Sequence, residues 1–231
     1  MSKTLLAAAA LTLAAVAAAL SGSAQAGVLN CEITIDGAQV ATCATSSTGS
    51  LSFSSNLVSP LFSSISLTAD GPPVLPNPDL STVTLDVSSS AGFSGTHVLG
   101  VDIFQTGVSA PAGTTLESTA TINGLINLPG PTTLSDAFNG TASTLGTTLR
   151  SSTFASTFTG AVGPFFDVLS VPLTADAEQY LITFTAPNQS ANDTIQLQGV
   201  IPSVGEPSTL ALLGSALIGL GLWHRRRSGL S

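Results

Sequence analysis

The stretch from residue 27 to 203 predicts an all-β fold, an antiparallel β-sandwich of jelly-roll-like form, on three observations. Short segments of alternating apolar and polar residues recur along it, Gly, Pro and Asn punctuate them, and helix-favouring charged residues are scarce, with Asp, Glu, Lys and Arg making up 8% of the chain. A period of two gives each segment one apolar face, and such faces are buried by pairing segments into sheets that close on one another. An N-terminal signal helix and a short C-terminal transmembrane helix flank this domain.

The first 26 residues read as a secretory signal peptide. Lys3 supplies the positive start, Leu5 to Leu20 an Ala-rich apolar run, and Ala24-Gln25-Ala26 a small-x-small cleavage site, so the mature chain is expected to begin at Gly27. Export through the Sec machinery and cutting by signal peptidase follow from this pattern. Cys31 and Cys43 both fall in the exported part and are expected to form a disulfide there. Between them two alternating segments surround Asp36-Gly37, a hairpin signal. A two-residue loop sets Cys31 opposite Thr42; a three-residue loop or a bulge sets it opposite Cys43, so the disulfide predicts the longer loop.

From Ala44 to Ser66 a Ser-rich stretch carries apolar residues at near-regular spacing and reads as two short strands. Asp70-Gly71-Pro72-Pro73, with Pro76 and Pro78, predicts an exposed loop. In Leu80–Val87 the alternation puts Val83, Leu85 and Val87 on one face and Thr82, Thr84 and Asp86 on the other. His97–Gln105 is apolar on both faces, as an interior strand would be. Thr114–Ile122 alternates, with Leu116, Ser118, Ala120 and Ile122 together. Leu134 to Phe138, ending at Asn139-Gly140, predicts the one short helical turn of the domain. Phe165–Pro172, Tyr180–Thr185 and Thr194–Ile201 complete the strands, the last with Ile195 and Leu197 against Gln196 and Gln198.

The tail, residues 204–231, is of another kind. Gly205-Glu206-Pro207-Ser208 leads into an apolar segment, a transmembrane helix over 209–223 whose fourteen uncharged residues from Leu210 to Trp223 are followed by Arg225, Arg226 and Arg227. Fourteen helical residues extend about 21 Å, against about 30 Å of hydrocarbon, and a lasting anchor needs about 20 residues. The arginines hold the cytoplasmic side, which puts the body outside. Pro207 fixes its own φ and biases Glu206 to an extended conformation, suited to a protease groove. These residues resemble the PEP-CTERM sorting signal of Gram-negative bacteria, over Val204 to about Arg227, with Gly205 where that motif has its first Pro. The resemblance implies recognition by an exosortase, a membrane cysteine transpeptidase, at Glu206, Pro207 and Ser208, with passage through the inner membrane before release to the outer surface or matrix.

Between residues 27 and 204, Arg150 is the one basic residue against twelve acidic ones, which leaves about −11. Such a surface repels phosphate backbones and excludes nucleic acid as a partner. No catalytic motif occurs: there is no Gly-x-Ser-x-Gly, His-Glu-x-x-His, phosphate loop or EF-hand loop. His97 stands alone in the domain and reads as structural. A carboxylate pair for glycoside hydrolysis would have to come from acids far apart in sequence, such as Asp102 and Asp167. With Tyr180 as the one Tyr and no Trp before the tail, a flat aromatic sugar platform is not expected. Asn188, Asn192 and Asp193 form the polar group to inspect, on a loop; no cofactor is implied, and a structural calcium ion has no motif behind it. The chain therefore reads as an exported, non-enzymatic surface or exopolysaccharide-matrix protein with a structural or adhesive role. An extracellular carbohydrate-binding module is the alternative, and a matrix-polymer hydrolase the third reading.

Overall fold

The computed structural model describes residues 27–56, 59–126, 131–140, 145–155 and 158–200. The signal peptide with Ala24 and Ala26, and the tail with Glu206, Pro207, Ser208, the 209–223 helix and Arg225 to Arg227, lie outside the described residues.

Twelve strands run through the described residues: β1 (Val28–Ile35), β2 (Ala38–Thr42), β3 (Ser50–Ser55), β4 (Phe62–Asp70), β5 (Leu80–Ser89), β6 (His97–Ala110), β7 (Thr115–Ile126), β8 (Thr132–Phe138), β9 (Thr147–Phe154), β10 (Gly160–Val168), β11 (Leu173–Phe184) and β12 (Ser190–Val200). They form two sheets of six, with the orders β2-β1-β6-β11-β8-β9 (sheet A) and β10-β7-β12-β5-β4-β3 (sheet B). Every pairing whose register is described is antiparallel. After β5 the chain alternates between the sheets, apart from the β8–β9 hairpin, so their inner faces close on one core.

The alternation read from the sequence sets most of these faces. Leu116, Ser118, Ala120 and Ile122 of β7 are all buried, as are Leu99, Val101 and Ile103 of β6 and Ile195 and Leu197 of β12. Strand β5 departs from it. Thr82 is buried and Val83 is 49% exposed, because the β4–β5 register shifts between Thr68 and Ala69, where Thr82 and Thr84 are successive partners. That irregularity changes the phase of the strand, and the Thr82 hydroxyl turns inward to donate to Glu178 Oε2 of the facing sheet.

The helical turn expected over Leu134 to Phe138 is instead strand β8. Leu134 and Phe138 are spaced as in a helix, but β8 is hydrogen-bonded on both sides, to β11 and β9. With a period of two, Thr132, Leu134, Asp136 and Phe138 all face the core and all are buried. The Pro-rich loop after β4 is also less exposed than expected: Gly71, Pro72 and Pro78 are buried, and Gln105 Nε2 donates to the carbonyls of Pro78 and Asp79 at 3.4 Å.

Cys31 and Cys43 are bonded, with Cα atoms 5.0 Å apart. The hairpin does not lengthen its loop to bring this about. Ile35 still faces Ala38 across a tight Asp36-Gly37 turn with both residues at positive φ, and a bulge between Ile33 and Thr34 supplies the shift. Replacing both cysteines by Ser should lower the stability of the domain by about 2–3 kcal/mol, from the loop the bond closes. Urea unfolding of the oxidised wild type against the double variant measures this; coincident curves would remove the disulfide from the account.

Candidate functional site

One edge of each sheet, β9 in sheet A and β10 in sheet B, borders a seam on one side of the sandwich. A cleft of about 170 Å³ opens there, lined by Leu116, Ser118, Leu149, Arg150, Phe165, Phe166, Asp167 and Leu197. Its apolar wall comes from β7, β9 and β12. Its outer lip is β10, where Phe165 is 42% exposed and Phe166 61%.

A bulge places these side chains. Val162 pairs with Ala120 and Phe165 with Ser118, so Gly163 and Pro164 together oppose one residue of β7. The extra residue reverses the phase of β10, and Phe165 and Asp167 come to share the inward face of Ser118 and Leu116. Gly163 makes this geometry available: its φ is +110°, and a Cβ there would lie 2.8 Å from the Ser118 carbonyl oxygen.

Behind the cleft Arg150, its side chain only 8% exposed, lies between an aromatic ring and a carboxylate. Its guanidinium carbon is 5.0 Å from the centre of the Phe165 ring, and its Nε is 3.2 Å from Asp136 Oδ2. The other two guanidinium nitrogens have no hydrogen-bond partner among the described residues.

Deeper in, the core is polar. The register of sheet A sets Ile103, Glu178, Asp136 and Arg150 side by side in one inward row, with Gln105 and Asp176 in the next. Asp193 of β12 is buried in the facing sheet. These residues separate a large apolar cluster, which contains Ile33, Val101, Leu134 and Tyr180, from a small one of Val108, Ala110, Leu116, Phe138, Leu169, Leu173 and Leu197. Two hydroxyls of sheet B cross to this layer: Thr82 donates to Glu178, and Ser118 to Asp136 Oδ2. The remaining oxygens of Asp136 and Glu178, and both oxygens of Asp176 and of Asp193, are buried without a partner among the described residues.

Burial without compensation favours the neutral acid. Desolvation raises Asp136 to about 6 against the attraction of Arg150, and raises Asp193 to about 7. Asp176 and Glu178 are pushed well up by desolvation and then by neighbouring carboxylates, Asp79 and Asp136 for the first, Asp136 and Asp176 for the second. Burial thus favours the protonated form throughout the layer. Among the described residues no group of three or more His, Cys, Asp or Glu side chains is arranged to hold a metal ion.

No family model matches the chain, and no curated protein does. Among solved structures the chain is similar to the enzymatically active domain of tailspike protein 4 from bacteriophage CBA120, at 12% identity and a TM-score of 0.33, covering 59% of this chain and 18% of that one. It is similar to TmCBM61, solved in complex with β-1,4-galactotriose, at 12% identity and a TM-score of 0.29 over 73% of this chain and 88% of that one. The adhesin domain of Epf from Streptococcus pyogenes gives 6% identity and a TM-score of 0.31, over 74% and 58% of the two chains. Overlaps of this extent carry no argument about what this chain binds.

The residues singled out from the sequence fall in several places. Asn192 and Asp193 lie in β12 rather than on a loop and point to opposite faces: Asp193 enters the core, while Asn192 Nδ2 donates to Asp86 Oδ1 on the outside. Asn188 is at the turn before β12 with φ 56°, a left-handed position that Asn tolerates. The three do not form one cluster. Asp102 and Asp167 are not brought together either, since Asp102 lies on the outer face of sheet A, bonded to Gln179 at 2.7 Å, and Asp167 lines the cleft from sheet B. Burial raises Asp102 to about 6, against the donation from Gln179.

His97 closes the far end of sheet A. Its Nδ1 is 2.6 Å from Asp36 Oδ2 and its Nε2 3.1 Å from the Ser94 carbonyl, so both nitrogens face acceptors and the ring is best satisfied doubly protonated. The bond with Asp36 raises His97 above 6.5 and lowers Asp36 below 3.8. The stabilisation from His97 is full below about 6.5 and is lost as pH rises through its raised value; that from Asp36 is lost only in acid, as pH falls through its lowered value. In an NMR titration the His97 midpoint should stand above 6.5 in the wild type and return toward it in Asp36→Asn, where Asn keeps the left-handed turn. An unmoved midpoint would count against the pair.

Proposed function

We propose that the chain is an exported protein of the cell surface or exopolysaccharide matrix, with a structural or adhesive role, sorted and cut through residues 204–231. The observation that carries export is the buried Cys31–Cys43 disulfide, a bond that persists in oxidising compartments, joined to the signal-peptide pattern of residues 1–26. The short apolar segment, the Glu206-Pro207-Ser208 approach and the arginines support sorting by an exosortase.

Intact mass of the protein isolated from its native host tests both steps. Loss of residues 1–26 and of the segment beyond Glu206-Pro207 is the expected result. A mass that retains the tail would sink the sorting reading, and one that retains the leader would sink export.

A second reading, extracellular carbohydrate binding, is favoured by the seam cleft. An exposed aromatic lip, a buried guanidinium and a carboxylate at its rim combine the apolar and polar contacts that a sugar ring needs.

A further inference from the structure

We propose that the β9–β10 seam is a binding subsite for one neutral hexose unit of a polysaccharide, an inference that rests on the carbohydrate-binding reading and names its site and ligand class. Three features of the cleft select this ligand. Its volume of about 170 Å³ leaves room for a single pyranose ring. Phe165, 42% exposed and on the inward side of the lip, offers its ring to the C–H side of a sugar. The polar groups are complementary to hydroxyls, which both donate and accept: the Asp167 carboxylate accepts, and Arg150 has terminal N–H groups with no acceptor among the described residues.

Those N–H groups lie behind the ring of Phe165, itself 42% exposed, and a ligand would reach them if that ring turned aside. A hydroxyl taking that place would satisfy donors that are otherwise buried unpaired, a gain specific to a ligand that reaches them. Charge decides between neutral and acidic sugars. Arg150 is already paired with Asp136, Asp167 stands at the rim, and the part from residue 27 to 204 has twelve acidic residues against one Arg, so a uronate would be repelled.

The test is isothermal titration of the full-length chain with hexamers of β-1,4-glucan, β-1,4-galactan and β-1,4-mannan, and with a galacturonan hexamer. At least one neutral hexamer should bind and the galacturonan should not. Phe165→Ala should weaken binding about tenfold and Asp167→Asn should weaken it measurably, the second with an unchanged melting temperature because Asp167 is exposed. Failure of all three neutral hexamers, binding of the galacturonan alone, or full affinity in both variants would each overturn the proposal. The export reading is judged separately by intact mass: a correctly processed protein that binds no neutral hexamer sinks the subsite alone.

Discussion

Replacing Arg150 by Met should cost about 3–5 kcal/mol at pH 8, the loss that follows when one partner of a buried ion pair is removed and the other is left charged. Arg150 is the sole Lys or Arg between residues 27 and 204, and its Nε lies 3.2 Å from an Asp136 that is fully buried. Without it, Asp136 retains only the Ser118 hydroxyl. Against a typical total of about 5–15 kcal/mol this loss threatens the fold itself. Two controls separate charge from packing. Burial raises Asp136 and Arg150 holds it down to about 6, so in the variant its carboxyl stands higher still and the cost should shrink as pH falls and it takes a proton. Adding Asp136→Asn to the Met variant should restore most of the lost stability at pH 8. A penalty that is constant with pH and unrelieved by Asn would show that Arg150 acts through its aliphatic stem on Phe165 and Leu149.

The second large effect is the pH dependence of the whole domain. Asp136, Asp176, Glu178 and Asp193 all have values raised by burial, so the folded state binds more protons than the unfolded chain. Their stabilisation is complete below about 4 and is lost as pH climbs through the folded values, about 6 for Asp136 and about 7 for Asp193. A shift from 3.8 to about 7 at one group corresponds to about 4 kcal/mol, an order of magnitude for the slope. Melting temperature should therefore fall from pH 5 to pH 8, opposite to the usual behaviour of paired surface carboxylates. Glu178→Gln keeps an acceptor for Thr82 and should stabilise the protein at pH 8 with little effect at pH 4. A flat profile between pH 5 and 8 would mean that these acids are compensated in some other way.

How much of this is legible in the sequence depends on whether a residue obeys its strand's period. The faces of β7, of β12 and of β6 as far as Gln105 follow directly, because their alternation is unbroken there. Bulges are what sequence periodicity misses: one extra residue in β5 turns Thr82 inward, and one in β10 does the same for Phe165 and Asp167. The Gly163-Pro164 pair was a visible cue to the second. The acid layer was hidden by a general expectation that charges lie outside. Beginning the strand at Tyr180 stops it short of Asp176 and Glu178. The phase of Tyr180, Ile182 and Phe184, carried back by twos, reaches both acids and predicts them buried. The exposure of Phe166 follows from β10 being an edge strand, which the sequence does not mark.

The position of β12 has a mechanical consequence. The chain leaves the sandwich at the end of a strand enclosed by β7 on one side and β5 on the other. Tension arriving from a tether beyond residue 200 would pull along β12, so both flanking ladders resist together in shear, instead of parting bond by bond as an outermost strand does when peeled. A molecule gripping a polymer at its seam and held by its C-terminal side would withstand drag through its most enclosed strand, and its lifetime under flow would follow the rate of forced unfolding.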